Sequence, residues 1–179
     1  EHQRIRTTNP LVEENPLEAD PEFVTVSKFA NMEGAPQKSD DDQLKYFKNI
    51  ELFADMSDEQ ILNMIEVMTP RSLQPGELLF SQGNPGNKLF VITMGRVEVI
   101  RDNRRLVTLG TGTVVGELAM LDGEIRSASI RAERLSRVVG ISQDDLKVLR
   151  YKDAQFAITL FRNLATILAK RLRAASGRR

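Results

Sequence analysis

VVGELAMLDGEIRSASI, residues 114–130, carries the most specific chemistry in this chain. Gly116 lets the backbone approach a ligand closely, and the carboxylate of Glu117 stands beside it. The apolar run Leu118-Ala119-Met120-Leu121 follows and is broken at once by Asp122-Gly123. Arg126 comes three residues later, before the small residues Ser127, Ala128 and Ser129. The pattern predicts one turn of helix with free amides at its start, an acid beside it and an arginine returning from the far side. Such a cup suits a small anion that also carries hydroxyl groups, for which a sugar phosphate is the natural case.

Immediately upstream, residues 110–116 read GxGxxxG directly after the apolar strand Leu106–Leu109. A dinucleotide-binding glycine pattern needs a full helix after the glycines and then a second, parallel strand. Here the helix ends at Asp122-Gly123 and the upstream strands are hairpin-linked, so a Rossmann oxidoreductase does not fit.

Further out the rhythm is one of short strands and turns. Pro75-Gly76 precedes Leu78–Phe80, and Gly83-Asn84-Pro85-Gly86 precedes Leu89–Ile92. Met94-Gly95 turns into Val97–Ile100, Asp102-Asn103 into Leu106–Leu109, and Ser127–Arg131 and Arg137–Ile141 follow. About eight short strands, with no room for crossover helices, predict a mostly β fold: an antiparallel barrel or jelly roll.

Helices flank the strands. Asp40-Asp41-Asp42 opens one through Leu44, Phe47 and Ile50, and Phe53 sits in a bend. Ser57 with Gln60 makes a capping box for the next, whose apolar face is Ile61, Leu62, Met64, Ile65 and Met68. Ser142 caps Gln143–Leu149, and Asp153 begins a long helix. In that helix Phe161, Leu164, Leu168 and Arg171 share one face, with Leu160, Ile167 and Leu172 beside it. This face covers the barrel mouth, a twin helix of a second chain, or both.

The organisation expected is an acidic, Pro-containing extension over 1–40, a barrel with its N-terminal helices over 41–152, and a lid or dimerisation helix with a basic tail over 153–179. Phe23-Val24-Thr25-Val26 is an apolar piece within the extension.

Composition narrows the chemistry. The 179 residues suit one domain with extensions, and 41% apolar content supports one core. There is no cysteine, hence no disulfide frame, thiolate nucleophile or Cys-based metal site, which suits a cytoplasmic protein. The single histidine, His2, reads as a solvated tail residue. That excludes His-based triads and multi-histidine metal sites, although carboxylate-only sites survive, and it disfavours a cupin-type metal enzyme, whose barrel ligands are mostly histidines. No apolar run approaches bilayer length and no signal-peptide pattern opens the chain. The first residue is Glu1 rather than Met, as in a processed or shortened chain.

Net charge is zero but unevenly spread. Residues 1–45 hold ten acids against five bases, whereas residues 154–179 hold six bases and no acid. A basic end of this kind suits nucleic acid, an acidic lipid surface or, more simply, the C-terminus of a helix. No aromatic or second basic cluster reinforces it, which favours the helix reading.

From about Leu52 to Ser176 the chain resembles the cyclic nucleotide-binding domain of bacterial catabolite activator proteins, protein kinase A regulatory subunits and cyclic-nucleotide-gated channels. The specific part is GELAML…RSAS at 116–129, which resembles the family's phosphate-binding cassette; Gly83, Gly86, Gly95, Gly110 and Gly112 fall at its turns. The resemblance implies a non-enzymatic regulatory module that binds cAMP, with cGMP second, and uses no prosthetic group or metal. It implies that Glu117 accepts the ribose 2′-hydroxyl and that amides of Leu118 and Ala119, after Gly116, face the phosphate. Arg126 would pair with the exocyclic oxygens, while Ser127 and Ala128 finish the cup. Val99, Leu106 and Val115 would line the wall, and Arg171 and Ser176 would form the lid. Ala175 departs from the threonine expected beside Ser176, which weakens adenine recognition from that helix. Ser127 resembles the serine of the bacterial cAMP activators. Domains of this fold that bind no nucleotide also exist, with Glu117 and Arg126 then pairing directly.

The expected partners are the nucleotide, a second copy through residues 153–176, and an effector that the sequence does not name. DNA would be a partner only if a helix-turn-helix once followed residue 179. A larger signalling enzyme, or an adaptor whose arm 1–40 binds a partner, are the other settings.

Overall fold

The computed structural model describes residues 40–177 of the chain. The extension before Asp40, with its Phe23–Val26 piece, and the tail residues Arg178 and Arg179 lie outside the described residues.

Helix α1 spans Asp40–Lys48, with acids at its start and Lys45 and Lys48 in its last turn, each complementing the helix dipole. It stops before Ile50, which is buried just outside it, and Glu51–Phe53 forms a single 3₁₀ turn. Helix α2, Asp58–Val67, starts at the expected capping box. The Gln60 amide donates to Ser57 Oγ at 3.2 Å, and the Ser57 amide to Gln60 Oε1 at 3.0 Å. Ile61, Met64, Ile65 and Met68 are buried, but Leu62 is 36% exposed and leaves the expected face.

Eight strands follow: β1 (Thr69–Leu73), β2 (Leu78–Phe80), β3 (Lys88–Met94), β4 (Arg96–Arg101), β5 (Arg104–Gly110), β6 (Val114–Val115), β7 (Ser129–Ala132) and β8 (Ser136–Ser142). They form two four-stranded antiparallel sheets, ordered β1-β8-β3-β6 and β2-β7-β4-β5. The β4–β5 hairpin closes through Asp102-Asn103, both at positive φ, the two-residue turn whose twist matches its strands. Strands β1 and β6 are the two that apolar runs alone did not mark. Thr69–Leu73 is largely polar, and Val114–Val115 is only two residues long.

Two cores result. Leu73, Leu79, Ile92, Val97, Val115, Ile130, Ala132 and Val138 fill the space between the sheets. The larger core packs β3, β6 and β8 against α1, α2, α4 (Gln143–Lys152) and α5 (Ala154–Ala175).

Helix α5 enters that core through Phe156, Leu160, Leu164 and Ile167. Burying each such side chain contributes about 1.5–3 kcal/mol. Asn163 Nδ2 donates to the carbonyls of Leu52 at 2.9 Å and Ala54 at 2.7 Å, fixing the helix against the 3₁₀ turn. Asp153 caps α5 through the Phe156 amide at 3.1 Å and accepts from Gln60 Nε2 at 2.6 Å, so the helix start is clamped to α2. Phe161 and Leu172, expected on the covered face, are instead 46% and 67% exposed. The spacing of Leu160, Leu164, Ile167 and Arg171 sets the inner stripe, about one residue round from the expected one.

Candidate functional site

Strand β6 leads into Gly116, whose φ of 78° is left-handed and turns the chain into helix α3, Glu117–Asp122. Gly123, at φ 74°, ends that helix after six residues, so Asp122-Gly123 acts as the expected breaker. The short antiparallel pairing of β6 with β3 leaves nothing of a dinucleotide-binding unit.

The returning chain is held by the β2–β3 turn. The Arg126 amide donates to Asn84 O at 2.8 Å, the Gly83 amide donates to Arg126 O at 2.9 Å, and Ile125 bridges Pro85. This aims the Arg126 side chain inward, where it is 5% exposed. Its Nη1 donates to Gly116 O and its Nη2 to Lys88 O, both at 2.8 Å, and the guanidinium carbon lies 4.1 Å from the Phe80 ring centroid. Arg126 Nε is buried without a hydrogen-bond partner. Burial pushes the Arg126 pKa below the ordinary guanidinium value, and the nearby Glu117 charge pulls it back up.

Glu117 and Arg126 do not hydrogen-bond each other. Glu117, 5% exposed, is ion-paired with Arg171 Nη1 from α5, and Arg171 Nη2 donates to Val114 O at 2.5 Å. The first residue of the cassette helix is thereby tied to a late residue of the last helix.

These groups border a cleft of about 550 Å³ that opens to solvent. Gly116, Glu117, Leu118, Ala119, Arg126, Ser127, Ala128, Val99, Val115 and Arg171 all line it, as the sequence led us to expect. Leu106 and Ser176 do not. Leu106 is 59% exposed: the pair Val97–Leu109 puts Leu109 on the inner face, whereas the register shifts between Val99 and Ile100 and leaves Leu106 unpaired at the shift. Ser176 is the exposed cap at the end of α5. Phe80, Leu109 and Ile130 line the cleft without having been singled out. Ile130 carried a signal, as an apolar residue of the strand that follows Ser127 and Ala128, whereas Leu109 is as apolar as Leu106 and only the strand register separates them. Phe80 carried none, since its role behind Arg126 is set by tertiary packing.

Among the described residues no group of three or more His, Cys, Asp or Glu side chains is placed to hold a metal ion. Nor is any described helix long and apolar enough to cross a membrane. The cleft's chemistry is one buried cation with a spare donor, one buried carboxylate and an apolar wall.

Residues 70–153 match the cyclic nucleotide-binding domain family model. Glutaminase 2 of Bradyrhizobium diazoefficiens is 33% identical over 128 residues, covering 71% of this chain and 20% of that protein. Human cGMP-dependent protein kinase 2 is 32% identical over 105 residues, covering 59% of this chain and 14% of the kinase. A solved cyclic nucleotide-binding domain from Methylobacillus flagellatus superimposes with a TM-score of 0.69 at 28% identity, covering 75% of this chain and 79% of that one. Residues 70–153 thus carry a domain of the cyclic nucleotide-binding family. It is a regulatory ligand-binding domain, and the chain spans about a fifth or less of the length of these two curated relatives.

Proposed function

We propose that the cleft binds cAMP in preference to cGMP and that binding repositions α5. The observation that carries this reading is the Arg126 guanidinium, buried and with an unpartnered Nε, in one cleft with Glu117. A cyclic phosphate would take the free donors of Arg126, whose planar fork matches two oxygens. The ribose 2′-hydroxyl would donate to Glu117. Two or three charge-assisted bonds of about 1.5–3 kcal/mol each, with the base against Val99, Leu109 and Val115, support micromolar binding, roughly 8 kcal/mol.

The switch follows from the Glu117–Arg171 pair. A ligand that takes Glu117 competes with Arg171 and frees α5 to repack, by no more than its differential affinity for the two arrangements. Ser127 supports cAMP through its resemblance to the bacterial cAMP activators. The name of the human kinase carries cGMP, which makes cGMP the rival ligand. Titration calorimetry decides: tighter cAMP binding supports this reading, and equal or tighter cGMP binding transfers the site to cGMP.

A second copy is the structural partner this reading assigns. Ile158, Phe161, Ala165, Leu168 and Leu172 repeat at heptad spacing, and Ile158 and Leu172 are 62% and 67% exposed. What the domain controls is, on this reading, a larger enzyme, since the two curated relatives described above are named as enzymes and match over a small part of their length.

A further inference from the structure

The geometry points to Gly86 as a positioning residue for the phosphate-binding arginine: its missing side chain is the seat in which the Arg126 guanidinium rests. This rests on the reading of Arg126 as the phosphate anchor. A Cβ built on Gly86 would fall 2.2 Å from Arg126 Nε, 2.4 Å from Cζ and 2.8 Å from Cδ. All three are far inside ordinary contact, and the three nearest atoms all belong to this one side chain. Gly86 is absent from the glycines at positive φ, so its backbone does not demand glycine. The demand comes from the arginine.

An arginine is flexible and normally yields to a new methyl group. Arg126 is not free to do so. Both terminal nitrogens are tied to carbonyls, Gly116 O and Lys88 O, and the Phe80 ring stands 4.1 Å from Cζ. Its own backbone is bonded to Asn84 and Gly83, in the same turn that carries Gly86. A methyl at 86 therefore expels the guanidinium and breaks the two carbonyl bonds that aim it. Gly116 also meets Arg126, at 2.5 Å from Nη1, but there φ is positive and any side chain is strained for a second reason. Gly86 is the clean probe.

The test uses the full chain in four forms: wild type, Gly86→Ala, Arg126→Ala and the double variant. Gly86→Ala is expected to weaken cAMP binding at least tenfold, as misplacement of a binding group by about 1 Å does. It is also expected to lower the melting temperature. In the Arg126→Ala background the same substitution is expected to change neither quantity, because the atoms it strikes are gone. Equal melting-temperature losses in both backgrounds would overturn the proposal and assign Gly86 to the turn alone. So would wild-type cAMP affinity in Gly86→Ala while Arg126→Ala binds weakly. If Arg126→Ala itself binds cAMP as wild type does, the phosphate reading fails separately. The melting temperatures then decide the seat by themselves: loss confined to the wild-type background upholds it, and equal loss in both rejects it.

Discussion

Arg171, late in α5, is ion-paired with Glu117, the first residue of α3, across 54 positions of sequence. The shortest α-helix of the described fold is thus fastened to the longest at the mouth of the cleft. A carboxylate engaged by Arg171 is less available to a ribose hydroxyl. Arg171→Ala is therefore expected to raise cAMP affinity about fivefold, the worth of a partly exposed pair near 1 kcal/mol. Calorimetry checks this; weaker binding by the variant would mean that Arg171 holds the ligand instead of competing with it.

The role of Glu117 is separable from that of its partner by changing the ligand. In wild type, cAMP is expected to bind about tenfold more tightly than 2′-deoxy-cAMP, one charge-assisted hydrogen bond. Glu117→Ala should bring that ratio close to one, since it removes the acceptor that distinguishes the two ligands. A ratio unchanged in the variant would place the hydroxyl elsewhere.

Much of this site was legible because its determinants are local. Glycines at 116 and 123 bracket one short helix, and the capping box of Ser57 with Gln60 and the capping Ser142 mark the starts of α2 and α4. The cassette's partners were less so. Nothing near Arg126 in sequence indicates Phe80, and Leu106 and Leu109 are equally apolar until the register of β5 on β4 decides which faces in. Helix α5 has two apolar stripes, and only the packed core reveals that Leu160, Leu164 and Ile167 belong to this domain. The direct pairing of Glu117 with Arg126 considered from sequence does not form; Arg171 takes the acid and two carbonyls take the arginine.

Asp153 offers a pH-dependent readout of how α5 is anchored. Its hydrogen bonds, first from Gln60 and then from the Phe156 amide, hold its carboxyl below the ordinary Asp value. A carboxylate lowered in the folded state contributes stability above its unfolded pKa, near pH 4, and that stability is lost as pH falls through the folded value. Asp153→Ala is expected to lower the melting temperature at pH 7 by a few degrees, about the cost of a lost helix cap. It should also flatten the decline on acidification. A decline as steep as in wild type would show that other carboxylates govern it.

The exposed heptad stripe of α5 predicts self-association. Sedimentation of the chain should give a dimer, and Leu172→Glu, which puts a charge in the seam, should give a monomer with its fold intact by circular dichroism. A wild-type monomer at tens of micromolar would leave the stripe to another partner.

The proposed function depends above all on Arg126 anchoring a cyclic phosphate. Titration calorimetry of cAMP into wild type and Arg126→Ala measures this directly. Loss of two charge-assisted bonds, at least about 3 kcal/mol, is expected to weaken binding by about a hundredfold or more. Undiminished affinity in Arg126→Ala would contradict the assignment of the site.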